Sequence, residues 1–157
     1  MSPRPLLLRL WATLRRQARS SEITIIILAV GIGAASGLAT VVIGALARTL
    51  QHWLFVLPPA VRLSALPALG WRSLLALPLG GVALVLFSWA VRARSRRLVD
   101  AVEANALHGG RMSIPDSLVI TGQTVLSNGF GASVGLEAAY AQAGGALASL
   151  AARALNL

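Results

Sequence analysis

The sequence predicts an all-α integral membrane fold, on three observations. Of its 157 residues 56% are apolar and 12% charged, too few polar groups to cover a soluble core. Two uncharged runs are each close to the ~20 residues that a helix needs to cross the hydrocarbon of a bilayer. All 14 basic residues are arginine, and most of them flank those runs.

The net charge of +9 raises nucleic acid as a partner. The arginines, however, bracket apolar segments instead of sharing an exposed face with aromatic residues. That is the positive-inside pattern, so a lipid bilayer is the expected partner and nucleic acid is not. The chain has no cysteine, which excludes disulfides, thiolate metal sites and thiol nucleophiles.

Residues 1–21 form the first expected unit. Leu6, Leu7, Leu10 and Leu14 share one helical face with Trp11 beside them, while Arg9, Arg15, Arg16 and Arg19 lie mostly elsewhere. This describes a basic amphipathic helix lying in the cytoplasmic interface. A signal peptide also starts basic, but the next apolar run is too long for its core and no A-x-A-like site follows.

Residues 22–157 form the membrane unit. Ile23 to Ala47 is uncharged over about 25 residues, a first long span. Ser20 or Ser21 can cap it, with Glu22 near the positive end of its dipole. Gly33, Ala34 and Gly37 give it the small-residue spacing of closely packed membrane helices. Gln51 to Gly70, with Pro58, Pro59 and Pro67, reads as a loop anchored by Trp53 and Trp71. Ser73 to Val91 is the second long span, with Pro78 and Gly80-Gly81 as sources of a kink. Arg92, Arg94, Arg96 and Arg97 then mark a return to the starting side. The expected location is thus the cell membrane, multi-pass, with the N-terminus cytoplasmic.

Leu98 to Leu107 is too short to span and reads as a half-helix or a surface turn that ends at His108-Gly109-Gly110. Ser113-Ile114-Pro115-Asp116 has the order of a helix start: a capping serine, a proline in the first turn, an acid at the capping-box position. Between Ser117 and Ala152 the only charge is Glu137. This stretch is too long for one span and divides at Gly129, Gly131 and Gly135 into a glycine-broken pair, Ile114 to about Asn128 and about Gly135 to Leu155.

A break of this kind at membrane depth is tolerated where it is buried in protein or lines a cavity. The open N–H groups of the second helix point into it and form a ready anion site. Glu137 stands there. An ionisable side chain in a membrane is a functional hypothesis by default. Burial disfavours its charge and the helix start favours it, so such a carboxyl can exchange a proton. As a carboxylate it also competes with an external anion for the same N–H groups, which makes it a gate.

Gly131-x-Ser133-x-Gly135-x-Glu137, followed by a small residue and Gly144, resembles the motif of the CLC chloride channels and proton-coupled chloride antiporters, which reads roughly G-x-S-x-G-R/K-E-G-P-x-x-x-x-G. The resemblance runs from Val102-Glu103-Ala104 through His108-Gly109-Gly110-Arg111 and the helix from Ile114 to the end of the motif. Before Val102 only the layout is similar. The resemblance implies an incomplete CLC-like first repeat with an amphipathic N-terminal helix, two long spans, a short half-helix and the glycine-broken pair. It implies transmembrane transport of an anion, chloride or another halide or nitrate, with Glu137 as gating residue and proton acceptor. Gly135, Leu136, Glu137 and Ala138 would bind the anion, and Gly131 and Ser133 would form the helix break. In the family the working unit is a homodimer with a pore in each subunit, and no cofactor is involved.

Several positions depart from the family pattern. Ala138-Ala139 replaces Gly-Pro, and Leu136 replaces a basic residue. The serine that contacts the central anion has no counterpart, since Arg96-Arg97-Leu98-Val99-Asp100 stands at its place with Ser95 nearby. The family's second inverted repeat would follow Leu157, so the expected alternatives are a fragment of a longer transporter, a chain that needs a partner chain, or a non-transporting membrane scaffold.

Other sites are less developed in the sequence. His52 and His108 are isolated, so no metal is expected. Ser133 lacks the context of a nucleophile elbow, and no second acid or base accompanies Glu137, so no enzymatic activity is expected. Gln123, Asn128, Tyr140 and Gln142 are polar residues in apolar helices, placed to bond between helices.

Overall fold

The computed structural model describes residues 22–58, 61–65, 68, 70–92 and 98–155. The expected amphipathic helix at 1–21, the capping Ser20 or Ser21, and Arg94, Arg96 and Arg97 lie outside them. The described residues form helices and turns, with no strand among them.

Helix α1, Glu22–Phe55, has 34 residues and is the one described helix long and apolar enough to cross a membrane. It runs past the expected end at Ala47 and takes in the start of the expected loop. Nothing between Ala47 and Phe55 breaks a helix, and Gln51 is tied down by tertiary bonds. The stop comes where Val56 turns to φ +51, two residues before Pro58. A 3-10 turn follows at Leu63–Ala65.

The expected second span divides in two. A short helix α2, Trp71–Leu74, is separated by Leu75 from α3, Ala76–Arg92, which has 17 residues. Pro78 explains the division. Lacking an N–H, it cannot bond the Leu74 carbonyl, and its ring crowds that carbonyl, so the helix restarts with proline in its first turn. At about 26 Å, α3 alone is shorter than the expected span.

Helix α4, Ala101–Leu107, is the short half-helix. Asp100 caps it by accepting the Glu103 N–H at 2.7 Å, and Gly109 and Gly110, both at positive φ, turn the chain out of it. Helix α5, Ile114–Gly129, follows with proline in its first turn. Ser113 holds the capping position, but its side chain makes no capping bond. Its carbonyl instead receives both the Ser117 N–H and the Ser117 hydroxyl, at 3.0 and 2.8 Å. Helix α6, Glu137–Leu155, is the last described element.

Helices α1, α5 and α6 pack on one another, and α3 packs on α5. Close contacts fix their directions. Leu50 of α1 lies against Gly129 of α5, so those helices run parallel, while α3 is antiparallel to α5, with Gly80 at Phe130 and Phe87 at Gly122. Ser36 of α1 lies near Gly144 of α6, and Tyr140 lies near Gly44, which makes α1 and α6 antiparallel. Glycine at these crossings lets the backbones approach. Phe55, Leu63, Gly80 and Phe130 therefore gather at one end with Gly131. Met112, Ser149 and Arg153 gather at the other, where the Met112 N–H donates to Ser149 Oγ at 2.9 Å and Arg153 Nη2 donates to the Met112 carbonyl at 2.9 Å.

The core is small and the outside is apolar. Buried residues include Ile43, Ala47, Ala139 and Ala146, whereas Ile23, Ile27, Val30 and Leu38 of α1 and Leu79, Val85 and Trp89 of α3 are exposed.

Candidate functional site

The glycine break between α5 and α6 is an ordered turn. Helix α5 closes with two bonds, Gly131 N–H to the Asn128 carbonyl at 3.0 Å and Ala132 N–H to the Ser127 carbonyl at 3.1 Å. These are the paired bonds of a Schellman motif, with Gly131 in the left-handed position at φ +90. A side chain at Gly131 would also meet the Phe55 ring, 2.8 Å from its Cζ. Conformation and space both require glycine there.

Asn128 clamps the turn. Its Nδ2 donates to the Val134 carbonyl at 2.7 Å. Gln51 Nε2 of α1 donates to both the carbonyl and the Oδ1 of Asn128, at 3.0 and 3.1 Å. The sequence marked Asn128 as an interhelical bonder, but the pairing with Gln51 was hidden by a separation of 77 positions. Ser133 and Val134 are exposed on the turn.

Helix α6 begins at Glu137, two residues later than the sequence placed it. Its first backbone bond runs from the Tyr140 N–H to the Leu136 carbonyl at 2.9 Å. The open first turn therefore consists of the N–H groups of Glu137, Ala138 and Ala139. Gly135 and Leu136 precede it, so of the four expected anion-binding residues Glu137 and Ala138 belong to the helix start. Ala139, which the sequence reading left out, is the buried member of that turn.

The Glu137 side chain is exposed and folds back on the chain. Its carboxylate takes the space that a Cβ on Gly135 would fill. A side chain at that position would displace the carboxylate, which is the end of an exposed and flexible side chain. The structure thus brings Gly135, Leu136, Glu137 and Ala138 together at one helix start, with Gly131 and Ser133 in the turn that leads to it.

Below this start lies a polar thread. Gln142, 1% exposed, donates through Nε2 to Ser117 Oγ of α5 and to the Val99 carbonyl ahead of α4, each at 3.2 Å. Gln123 of α5 donates to Ser88 Oγ of α3 at 3.2 Å. The bonding between helices expected of Gln123, Asn128 and Gln142 is therefore present. Asp116 is buried in the first turn of α5. His52, in the last turn of α1, and His108, at the end of α4, lie at opposite ends of the bundle. Among the described residues no cluster of histidine and acids could hold a metal.

No protein-family model, no curated protein and no solved structure matches this chain.

Proposed function

We propose that the chain is a multi-pass membrane protein with its N-terminus in the cytoplasm and that it transports a small anion, most simply chloride, in the manner of the CLC family. Glu137 is its gate and proton acceptor. The supporting observation is the Glu137 carboxylate folded over Gly135 at the open first turn of α6. A carboxylate tethered beside a helix start competes with an anion for its open N–H groups. Its exposure leaves it free to swing away when protonated or displaced.

The membrane setting draws on the outer surface of the bundle. Helix α1 is about 51 Å long at 1.5 Å per residue, and none of its most apolar stretch is buried within the chain. Trp53, Leu79, Val85 and Trp89 add exposed apolar surface. A surface of this kind belongs against lipid or protein. The end that carries Arg111 and Arg153 is the cytoplasmic one on the arginine rule, which puts the Glu137 turn toward the outside. On this reading α2, Leu75 and α3 complete the second crossing together.

Chloride efflux from liposomes containing the purified protein tests the proposal. Glu137→Ala removes the tethered competitor and is expected to raise efflux, and Glu137→Gln to abolish its pH dependence. Efflux and pH profile unchanged in both variants would refute the gate. A wild-type protein that inserts and carries no chloride would leave the non-transporting scaffold as the better reading.

A further inference from the structure

Arg111 and Arg153 line one cleft of about 350 Å³, with Met112, Ser113, Ile114 and Pro115 as its other walls and no acid among them. Arg153 is held there, since its Nε donates to the Ser149 carbonyl at 3.2 Å and its Nη2 to the Met112 carbonyl at 2.9 Å. Those bonds use two of the five N–H donors of a guanidinium. Ser113, whose hydroxyl makes no capping bond, adds a donor to the wall. Asp116, the nearest acid in sequence, is buried and does not line the cleft. Beside it an apolar groove of about 460 Å³ runs between α1 and α6, walled by Ile27, Gly31 and Ala35 on one side and Leu147, Leu150 and Ala154 on the other. Leu150 lies one turn from Arg153 on α6, a neighbour on the helix surface, so the groove opens next to the guanidinium. From Ala154 to Leu147 it extends about 10 Å toward the middle of α6. A Cβ on Gly31 would meet nothing within 4 Å, whereas at Gly44 or Gly129 it would meet a neighbouring helix. Gly31 therefore serves no crossing within the chain and leaves the groove deep.

We infer that the cleft and the groove together bind one anionic phospholipid, its phosphate at Arg111 and Arg153 and an acyl chain between α1 and α6. Arginine forks match the oxygens of a phosphate, and two cations in a wall without an acid call for an anion. The groove is lined by glycine and aliphatic side chains alone, a surface that takes hydrocarbon. A helix from a second copy would fill the groove but leave the arginines without a counter-charge. A free phosphate would fill the cleft but leave the groove open. An anionic amphiphile satisfies both, and each volume lies within the ~300–1,000 Å³ of ligand clefts. The arginine rule places this end in the cytoplasm, on the leaflet that carries anionic lipid. The inference rests on the membrane reading and its orientation, and neither on anion transport nor on Glu137.

Native mass spectrometry of the full chain in detergent tests it, with phosphatidylglycerol and phosphatidylcholine of the same acyl chains offered in equal amounts. Wild type is expected to prefer phosphatidylglycerol about 25-fold, about fivefold for each arginine, and to keep it when inorganic phosphate is added in excess. Arg111→Gln and Arg153→Gln should each cut the preference about fivefold. Arg62→Gln, which removes the same charge beside Leu63 at the other end of the bundle, should leave it unchanged. Gly31→Leu fills the groove and should weaken retention of phosphatidylglycerol with helix content intact. Equal retention of the two lipids by wild type overturns the inference, as does an equal loss in Arg62→Gln, which means diffuse charge attraction. Displacement by phosphate overturns it in favour of a site for the free ion. Undiminished retention in Gly31→Leu, with a dimer split by that change, gives the groove to a second copy. Should Arg153→Gln fail to fold, Arg111→Gln and Gly31→Leu decide. Flotation with phosphatidylcholine vesicles separates the two levels: a chain that does not float overturns the membrane reading and this inference together, and one that floats without lipid preference overturns this inference alone.

Discussion

Replacing Gln142 by methionine removes two hydrogen bonds while nearly keeping the length and volume of the side chain. Gln142 is 1% exposed, so no water replaces what is lost. Its bonds to Ser117 Oγ and the Val99 carbonyl are both 3.2 Å, at the long end for N–H to oxygen. Each is worth about 0.5–1 kcal/mol net, and helix-to-helix bonds measured in membranes average about 0.6 kcal/mol. The unbonded Val99 carbonyl adds a desolvation cost, so the expected loss is about 1–3 kcal/mol. The assay is unfolding in mixed micelles, followed by far-ultraviolet circular dichroism, for Gln142→Met, Ser117→Ala and the double variant. The two single losses should fall short of adding by about 0.5 kcal/mol or more, as expected of residues in contact. A loss below about 0.3 kcal/mol in Gln142→Met, with full additivity, would refute the view that this thread ties α4, α5 and α6 together.

Three further substitutions probe packing and capping. Gly129→Ala would put a Cβ 2.9 Å from the Leu50 Cβ and 2.6 Å from its Cγ, where the neighbour is close to backbone. The expected cost is about 1–3 kcal/mol, read as a lower unfolding midpoint. Gly122→Ala meets only the tip of Phe87, at 3.1 Å, and should cost clearly less; equal effects would contradict the packing described. Asp100→Ala removes the 2.7 Å cap of α4 and should weaken that helix by about 1 kcal/mol, seen as faster amide exchange over Ala101–Leu107 with α5 unchanged.

Local chemistry made several elements legible. Gly109-Gly110 after α4 and Pro115 at the start of α5 are signals that act over a few residues, and each lies at the boundary it marked, whereas α4 starts at Ala101 behind its Asp100 cap and not at the expected Leu98. The glycine break at 129–135 was readable for the same reason, because a left-handed Gly131 and its Schellman bonds are a local demand. Boundaries were misplaced where a distant partner intervened. Gln51 looked like the start of a loop, but Asn128 holds it in α1. Ser113 looked like a cap, but its carbonyl, not its hydroxyl, takes part in the start of α5.

The sequence by itself determined that the chain is helical and apolar, that a glycine break divides its last two helices, and that Glu137 stands alone at a helix start. Those features follow from residue type and spacing over a turn or two. Only the tertiary structure decided that Glu137 bends over Gly135, that Tyr140 lies near Gly44, and that Gln142 reaches both Ser117 and Val99. Such meetings depend on which faces of α1, α5 and α6 oppose one another. That is set by where small residues allow close crossing, and no local pattern in the chain records it.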